Sequence, residues 1–327
     1  MKNLKVVTMG GGTGTFPVVT ALKRLKVDIT AIVTVSDSGG STGRIRDEFG
    51  FQPVGDLRQS LAALADEKGQ EWIQKLLLYR FSKGAGLKGH NLGNLILTAL
   101  QDMTGNTTQS LEITEHIFNL DGSVIPVTSS FVDLKIHYND GTTALGEHIL
   151  DENPEEPKLI KKVTLEPECE FNLPAKQALI DADFIIIGPG DLYASILSTL
   201  VTRDVRETFS KVKGKIIYMS NLMTRLTQTH NMSAKQHLEK IEEAIGRKVD
   251  FIIINNQEIP ELVLKTYASY HEYPVKDDMN GNAGVFRTPL LLDTLIEKKE
   301  YDTAHRSLLR HDSNKLKIIF KEIIKKA

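Results

Sequence analysis

Five short runs of apolar, mostly β-branched residues recur along the chain, and segments with helical periodicity lie between them. The runs are residues 6–9, 29–35, 184–187, 215–219 and 251–254. Continuous apolar runs of this length are typical of strands that are covered on both faces. After the first run, Val18, Leu22 and Leu25 recur at the spacing of one helical face. Strands that alternate with helices predict an α/β fold with a parallel sheet and right-handed crossovers.

Residues that favour helix ends place several of these helices. Asp56 stands where an N-cap would begin a helix that ends near Leu64, and Gln59 occupies the capping-box position three residues later. Further helices are predicted over residues 91–100, from residue 190 through Leu200, over residues 234–245 behind a Ser233 cap, and from Asp312 onward. These helices supply the connections that a parallel sheet requires.

The segment over residues 124–165 differs in pattern from the rest of the chain. Residues 131–138 alternate between polar and apolar, residues 139–142 read Asn-Asp-Gly-Thr, and residues 152–157 form a polar loop with two prolines. This combination indicates antiparallel strands joined by a tight turn. We predict an antiparallel insertion over residues 124–165, at the edge of the parallel sheet and within a single domain that covers residues 1–327.

Charge and composition exclude several classes of protein. Forty basic residues against 42 acidic ones leave a net charge of -2, so no global attraction draws nucleic acid or an anionic membrane. The single cysteine, Cys169, cannot form an internal disulfide. The apolar runs are far shorter than the roughly 18 residues of a membrane span, and the first residues meet glycines too early for a secretory signal peptide. We expect a soluble, cytoplasmic protein.

Small or amide residues follow each of the five apolar runs. They occupy residues 10–14, 37–43, 188–190, 220–221 and 255–256. The carboxyl ends of parallel strands lie along one edge of a sheet, where ligands bind in a crevice. The sequence therefore predicts one shared ligand site at the strand ends, and its candidate residues include Ser38, Gly188, Gly190, Asn221 and Asn255.

The first of these loops favours an anion such as a diphosphate. Gly11, Gly12, Thr13 and Gly14 stand between a strand and the start of a helix. Free N–H groups and the helix dipole attract negative charge there, and missing Cβ atoms allow close approach. A tight turn needed only for packing is the alternative. The loop is neither a clean dinucleotide fingerprint, because Thr15 replaces the third glycine, nor a Walker loop.

Two aspartates add a candidate metal or ribose contact. Asp37 lies about 25 residues beyond the glycines, where an acid commonly binds a ribose, and it could equally ligate Mg²⁺. If Asp56 also faces the crevice, the two carboxylates would form a metal site for a diphosphate. The alternatives are a turn cap for Asp37 and a helix cap for Asp56.

Two further polar clusters complete the set of candidates. Asn91 belongs to the Gly-His-Asn-Leu-Gly-Asn stretch over residues 89–94, for which a turn or capping role is the alternative. Arg310 offers a bidentate clamp for a diphosphate. We recognise no nucleophile, base and orienting group at a familiar spacing, so the sequence predicts no particular set of catalytic residues.

These motifs together resemble one bacterial family. The residues that carry the resemblance are 10–14, 32–44, 53–58, 89–94, 188–193 and 310–312. The chain is identified as a member of the gluconeogenesis factor (YvcK-like) family, which is related to the 2-phospho-L-lactate transferases of the CofD type. The resemblance implies a Rossmann-like α/β fold, with a mostly parallel sheet in a three-layer arrangement and an antiparallel insertion at its edge.

The resemblance also implies a function. Members of this branch bind a UDP-sugar, chiefly UDP-N-acetylglucosamine, and are linked to carbon flux between gluconeogenesis and cell-wall precursor synthesis and to cell shape. We therefore expect a regulator that requires no cofactor, with a regulatory protein partner and a homo-oligomer left open. Nucleic acid and a membrane span are not expected.

Individual residues carry over to this sequence. Residues 11–14 resemble the diphosphate loop, and Arg310 resembles a ligand-contacting arginine. Tyr267 matches a ring that contacts the nucleotide sugar, although Tyr270 competes for that role. Ser313 falls at a hydroxyl position that is phosphorylated in some relatives.

The transferase branch suggests an alternative function. There, two aspartates that match Asp37 and Asp56 hold a metal that bridges the diphosphate to an attacking hydroxyl. This sequence keeps both aspartates but has Ser38 where a second acid is common, and we find no pocket for a deazaflavin acceptor. A metal-dependent transferase of a phospho-organic group is thus the alternative, and a nicotinamide-dependent oxidoreductase is a more distant third.

Overall fold

The computed structural model describes residues 4–65, 70–152, 157–279, 284–293 and 308–326. Its strands are β1 Lys5–Gly10, β2 Asp28–Val33, β3 Ser123–Pro126, β4 Asp133–Tyr138, β5 Thr143–Leu145, β6 Ile160–Glu166, β7 Phe184–Ile187, β8 Lys215–Met219, β9 Phe251–Asn255 and β10 Val285–Thr288. Its α-helices are α1 Gly12–Lys23, α2 Gly40–Phe49, α3 Gly55–Leu64, α4 Glu71–Leu78, α5 Leu92–Thr104, α6 Thr107–Ile117, α7 Leu173–Asp181, α8 Val205–Lys211, α9 Leu226–Thr229, α10 Ala234–Ile245, α11 Glu261–Ala268 and α12 Ser313–Lys326. None of the helices in these ranges is long and apolar enough to cross a bilayer.

The central sheet contains seven parallel strands in the order β10-β9-β8-β7-β1-β2-β3. The chain builds outward from β1 through β2 to β3, then returns to the other side of β1 with β7. A reversal of this kind creates a crevice between the loops that leave the two central strands, β1 and β7. The predicted α/β, Rossmann-like and mostly parallel sheet is confirmed.

The ends of the central strands are fully buried, which fixes the loops that follow them. Met9, Ile187 and Met219 have no measurable exposure, and each lies at or next to the end of its strand. Burying an apolar side chain of this size stabilises the fold by about 1.5–3 kcal/mol. The loops after β1, β7 and β8 therefore start from rigid positions.

The antiparallel strands form a small sheet of their own, in the order β5-β4-β6. The predicted hairpin turn over residues 139–142 is confirmed between β4 and β5. The predicted bounds of 124–165 need correction, because the antiparallel sheet runs from Asp133 to Glu166. Val124 instead pairs in parallel with Ala31 as part of β3, the edge strand of the central sheet. The division into a single domain stays a prediction.

Helix starts agree with the sequence in three of four predicted places. Ser233 caps α10 with a complete capping box, and the Asp312 carboxylate accepts hydrogen bonds from the backbone N–H groups of Asn314 and Lys315. Asn91 caps α5. The prediction for Asp56 was wrong, because α3 begins one residue earlier with Val54 at the N-cap.

The segment after β7 also departs from the prediction. In place of a regular helix, it makes one π-helical turn over Leu192–Ile196 and one 3-10 turn over Leu197–Thr199. The backbone N–H groups of Tyr193 and Ala194 donate to the Gln228 side chain at 3.3 and 3.2 Å. This side-chain oxygen satisfies donors at the start of the turn, where a helix leaves its first N–H groups unpaired.

Candidate ligand-binding cleft at the strand ends

A cleft of about 510 Å³ opens at the carboxyl ends of the central strands. Nine of the fourteen residues that the sequence singled out lie on its wall: Gly11, Thr13, Gly14, Asp37, Asp56, Gly190, Asn221, Tyr267 and Arg310. They come from seven separate segments of the chain, which the parallel topology brings to one edge of the sheet. The predicted convergence of these loops is therefore what the structure shows.

The glycine loop after β1 is packed too closely for side chains. A Cβ atom on Gly11 would stand 2.8 Å from the Ser195 hydroxyl and 3.0 Å from Asp56 Oδ2, and one on Gly14 would overlap the Pro189 carbonyl oxygen. The loop leads into α1, which has 12 residues and no acidic residue in its first turn. Gly11, Thr13 and Gly14 at the N-terminus of this helix line the cleft, and the Gly12 N–H donates to the Asp56 carboxylate. The positive end of the helix therefore lies at the cleft, as an anion site requires.

Gly12 serves packing and does not line the cleft. A Cβ atom there would overlap the carbonyl oxygen of Asp56 and would lie 2.6 Å from the Cβ of Gln59. This residue therefore allows α1 to cross α3 at close range, which was the alternative role given to the loop's glycines.

Asp37 and Asp56 both reach the cleft and influence each other. Burial raises the pKa of Asp37, which accepts hydrogen bonds from the Gly39 N–H at 2.9 Å and from Thr42. Burial first, and the negative charge of Asp37 second, raise the pKa of Asp56 to about 7. Two carboxylates that share a low-dielectric wall resist ionising together, so one of them is readily protonated near neutral pH.

The residues present fit a magnesium ion held with a ligand's help. Mg²⁺ is usually bound through one or two carboxylates together with substrate phosphates. Asp37 and Asp56 supply that number of carboxylates, and burial raises the pKa of both, so a cation would offset the cost of ionising them in the cleft. No group of three or more His, Cys, Asp or Glu residues suited to a metal exists in the described part of the chain. A magnesium site here would therefore need the phosphates of a ligand.

An arginine surrounded by carboxylates forms another part of the wall, and the sequence analysis did not identify it. Arg225 lies 3.1 Å from Asp151, 3.5 Å from Asp191 and 3.4 Å from Glu272. We call these four residues the Arg225 cluster. They come from the 3-10 helix Glu147–Asp151, the turn after β7, the loop after β8 and the segment after α11. No local spacing connects such distant positions, so only the fold brings them together.

The Arg225 cluster carries excess negative charge. Glu147 also lines the cleft, and burial together with the charges of Asp37 and Asp151 raises its pKa well above the usual range. Burial raises the pKa of Glu272 to about 7, although the Arg225 guanidinium opposes the shift. This part of the wall therefore offers carboxyl groups that can accept, or when protonated donate, hydrogen bonds.

Three arginines line the cleft elsewhere. Arg58 donates to the Asn94 side chain at 2.7 Å and to the Leu77 carbonyl at 3.2 Å, and Arg80 donates to the Gly89 carbonyl at 2.8 Å. Arg310 lies on the wall between Leu309 and the buried His311. Burial, aided by the Arg310 charge, lowers the pKa of His311 to about 3, so this histidine is neutral at physiological pH.

Tyr267 positions the segment that carries Arg310. Its side chain is buried, and its hydroxyl accepts hydrogen bonds from the N–H groups of Leu308 and Leu309 at 2.9 and 3.1 Å. Tyr270, its competitor in the sequence, is 43% exposed and does not line the cleft. Ser313, the candidate hydroxyl, begins α12 and accepts a hydrogen bond from Arg24 at 3.0 Å.

Four further predicted contacts lie off the wall. Asn91 is buried as the cap of α5, and Gly188 makes the left-handed turn after β7 with φ +78°. Asn255 binds Gln257 and the Leu290 N–H. Ser38 binds His148, a residue of the cleft wall, through both the Nδ1 atom at 2.9 Å and the backbone N–H at 3.0 Å. These residues hold the loops in place, and the structure gives them no direct access to a ligand.

Asn221 reaches the cleft with an acceptor that is not used. Its Nδ2 group donates to the Gly190 carbonyl at 2.7 Å, which joins the loops after β7 and β8. Its Oδ1 atom is buried and has no hydrogen-bond partner among the described residues. A buried polar atom of this kind is costly unless something satisfies it, so a ligand donor is a natural partner.

The fold and the site define a class: a Rossmann-like protein with a cleft at the strand ends, beside a glycine loop and two aspartates. The family model for 2-phospho-L-lactate transferase CofD matches residues 6–291. The gluconeogenesis factor of Bacillus subtilis (strain 168) is 35% identical over 323 residues, which cover 98% of both chains. The putative gluconeogenesis factor of Thermotoga maritima is 34% identical over 98% of this chain and 99% of its own. The chain belongs to the gluconeogenesis factor group of the CofD family.

Solved structures agree with the fold. The crystal structure of a member of the UPF0052 family from Bacillus halodurans matches with a TM-score of 0.87 and 32% identity. The match covers 98% of this chain and 99% of the other. The similarity thus extends over nearly the whole length of both proteins.

Proposed function

We propose that this protein is a regulator that binds a nucleotide-diphosphate sugar, UDP-N-acetylglucosamine, in the strand-end cleft. The observation that carries the proposal is the convergence of the glycine loop, Asn221 and Arg310 on one cavity. The regulation we infer links gluconeogenic carbon flux to cell-wall precursor synthesis and cell shape. The names of the relatives support its gluconeogenic part.

The cleft has groups for each part of such a ligand. The N-terminus of α1 and Arg310 suit the diphosphate, because helix N–H groups and a guanidinium both bind phosphate oxygens. Carboxyl groups of Glu147 and Asp191 suit sugar hydroxyls, for which carboxylates are strong acceptors. The buried Asn221 oxygen suits a hydroxyl or amide donor of the ligand.

A regulatory role requires that the ligand favour one of two states of the protein. The cleft offers a physical basis for this, since its wall joins the antiparallel insertion, through Glu147 and Asp151, to the central sheet. A ligand that contacts both parts would stabilise the arrangement in which they are close.

Calorimetry tests the proposal directly. Titration with UDP-N-acetylglucosamine should give saturable binding at one site, and NAD at equal concentration should not. Arg310→Ala should weaken binding by about 10- to 100-fold, the effect of losing charge-assisted hydrogen bonds. Arg203→Ala is the matched control, because Arg203 pairs with Glu170 on the surface and does not line the cleft. Absence of heat with the wild-type protein, or equal affinity for Arg310→Ala, would reject the proposal.

Asp37 and Asp56 favour a second candidate function, a metal-dependent transferase. In that reaction an acceptor hydroxyl would form a new P–O bond to the phospho-organic group, a nucleoside monophosphate would leave, and the hydroxyl proton would pass to a base. Asp37 and Asp56 are the residues that would hold Mg²⁺, which would supply charge neutralisation at the diphosphate.

Release of nucleoside monophosphate separates the two candidates. The protein is incubated with Mg²⁺, nucleotide-diphosphate donors and a cell extract that supplies acceptors. A transferase would release the monophosphate, and Asp56→Asn would abolish the release. Binding without release supports the regulator, and release that is unchanged in Asp56→Asn counts against the transferase.

A further inference from the structure

Helix α4 presents an apolar and basic face to solvent. Trp72, Lys75, Leu76 and Tyr79 recur at helical spacing, and we call these four residues the α4 face. Trp72 is 73% exposed, and Leu76 and Tyr79 are 43% and 49% exposed. Tyr79 caps the C-terminal end of the helix in an extended conformation, with φ -64° and ψ 129°, so it borders the helical face formed by Trp72, Lys75 and Leu76. The opposite side, including the fully buried Leu77, packs against the core.

The apolar side chains of the α4 face keep much of their surface exposed, although the Tyr79 ring packs edge-on against Phe81 with 5.1 Å between ring centroids. Trp72 is the only tryptophan of the protein, and its ring contacts the Lys75 ammonium 4.6 Å away. Tryptophan and tyrosine side chains are enriched where proteins bind each other. A cluster of exposed large apolar residues marks an interaction surface more often than isolated ones do.

Basic residues outnumber acidic ones around this face, although Glu71 in the first turn of α4 is acidic. Between Glu71 and Asp102 the sequence contains four Lys or Arg residues and no acidic residue. Two of these, Lys83 and Lys88, lie in the fully exposed hairpin that follows Tyr79. The hairpin is closed by hydrogen bonds between Phe81 and His90 at 2.9 Å and between Gly89 and Phe81 at 2.8 Å. The chain as a whole has a net charge of -2, so this basic region is a local feature.

We infer that the α4 face, with Lys83 and Lys88 beside it, is a docking site for an acidic, amphipathic segment of a partner protein. Apolar side chains of the segment would cover Trp72 and Leu76, and its carboxylates would pair with the lysines. Complementary charge of this kind selects a partner and speeds its encounter. An anionic membrane fits less well, because interfacial helices present a broad, continuous apolar face, whereas this one interrupts its apolar residues with Lys75.

The α4 face lies beside the ligand cleft. Tyr79 is followed directly by Arg80, which lines the cleft. A partner on this face would therefore sit next to the ligand. The inference itself does not depend on which ligand the cleft holds.

Photo-crosslinking in cells identifies the class of partner. The crosslinker p-benzoylphenylalanine replaces Trp72 in the full-length chain, and a control chain carries it at Leu262, which is 75% exposed on α11. We expect a protein crosslink from position 72 alone, which mass spectrometry maps to a segment rich in Asp and Glu. A crosslink to a second copy of this chain or to lipid would overturn the inference, as would a yield no higher than at Leu262.

The mapped segment is then made as a synthetic peptide and titrated into the purified wild-type protein. Because Trp72 is the only tryptophan, its fluorescence reports on this face alone. We expect a blue shift, and affinity at least about tenfold lower in the Lys75→Glu/Lys83→Glu variant. Raising salt from about 50 to about 300 mM should also weaken binding, since exposed charges are screened. An affinity that changes neither in the variant nor with salt would overturn the inference. An unchanged circular dichroism spectrum shows that the variant is folded.

Discussion

Asp56 carries the clearest electrostatic signature of the cleft. Its pKa rises from 3.8 to about 7, chiefly through burial and then through the charge of Asp37. Between these two values the folded protein binds more protons than the unfolded chain. The free energy of unfolding contributed by this group therefore falls as the pH rises from about 4 to about 7.

Replacing Asp56 with Asn removes the free-energy cost of ionising this buried carboxyl group. In the absence of ligand, Asp56→Asn should be more stable than the wild type at pH 8 by about 4 kcal/mol, and the two should be nearly equal at pH 4. Chemical denaturation at both pH values measures the difference. Adding Mg²⁺ and nucleotide should reduce the advantage at pH 8, because a cation offsets the repulsion. A difference that is the same at both pH values would contradict the assignment.

Gly12 belongs to the glycine loop, but its role is to let α1 and α3 pack closely. Gly12→Ala places a methyl group against the Asp56 carbonyl and should destabilise the fold by about 3 kcal/mol, as overpacking does. Thermal unfolding checks this. Gly86→Ala is the matched control, since a Cβ atom there meets nothing within 4 Å, and its effect should stay within about 0.5 kcal/mol. Equal effects of the two substitutions would show that α1 and α3 can separate at little cost.

At the scale of elements, the Arg225 cluster ties the antiparallel insertion to the central sheet. Asp151 ends the 3-10 helix Glu147–Asp151, and the neighbouring Leu150 carbonyl accepts a hydrogen bond from Thr227 at 2.5 Å. On the other side of the short helix, Ser38 holds His148. These contacts position Glu147 at the cleft. No sequence pattern predicts them, because the residues that they join are far apart along the chain.

Arg225→Met leaves three carboxylates of the cluster without their cation. We expect a loss of about 1–3 kcal/mol in the free energy of unfolding, which is less than for a fully buried charge because Asp151 and Asp191 are partly exposed to water. Hydrogen exchange should accelerate first in residues 146–151. Arg203→Met, which breaks a surface pair with Glu170, should cost less than about 0.5 kcal/mol. Unchanged exchange in residues 146–151 would show that Arg225 does not hold this element.

Elements with strong local signals were predictable from the sequence. The apolar runs correctly predicted the first and last residues of β7 and β8, and Ser233 correctly predicted the start of α10. The N-cap prediction for Asp56 was wrong because, in the sequence alone, an acid in the first turn of a helix resembles an N-cap. The parallel pairing of β3 was also missed, since pairing partners distant in sequence leave no local trace.

At the scale of the whole molecule, the sheet order explains why distant motifs share one cleft. The reversal beside β1 brings the loops after β1, β2, β7 and β8 together, so the glycine loop, Asp37, Gly190 and Asn221 meet on one wall. The small and polar residues that follow each apolar run predicted that these loops would meet. Arg225, Glu272 and Glu147 could not be predicted, because their places depend on loops whose path no residue spacing specifies.

Ligand binding should spread from the cleft into the elements that share its wall. Hydrogen exchange with and without UDP-N-acetylglucosamine should show protection at residues 11–14 and 146–151, and in the segment around Arg80. Helix α7, which contributes nothing to the wall, serves as the internal control and should not change. Protection confined to α7, or spread evenly over the chain, would place the ligand elsewhere.

A crystal structure of the complex with UDP-N-acetylglucosamine and Mg²⁺ tests the central claim most directly. We predict ligand density in the strand-end cleft, with the diphosphate at the N–H groups of residues 11–14, within reach of Arg310, and the sugar toward Glu147. Nucleotide density outside the cleft, or an empty cleft at saturating ligand, would contradict the account.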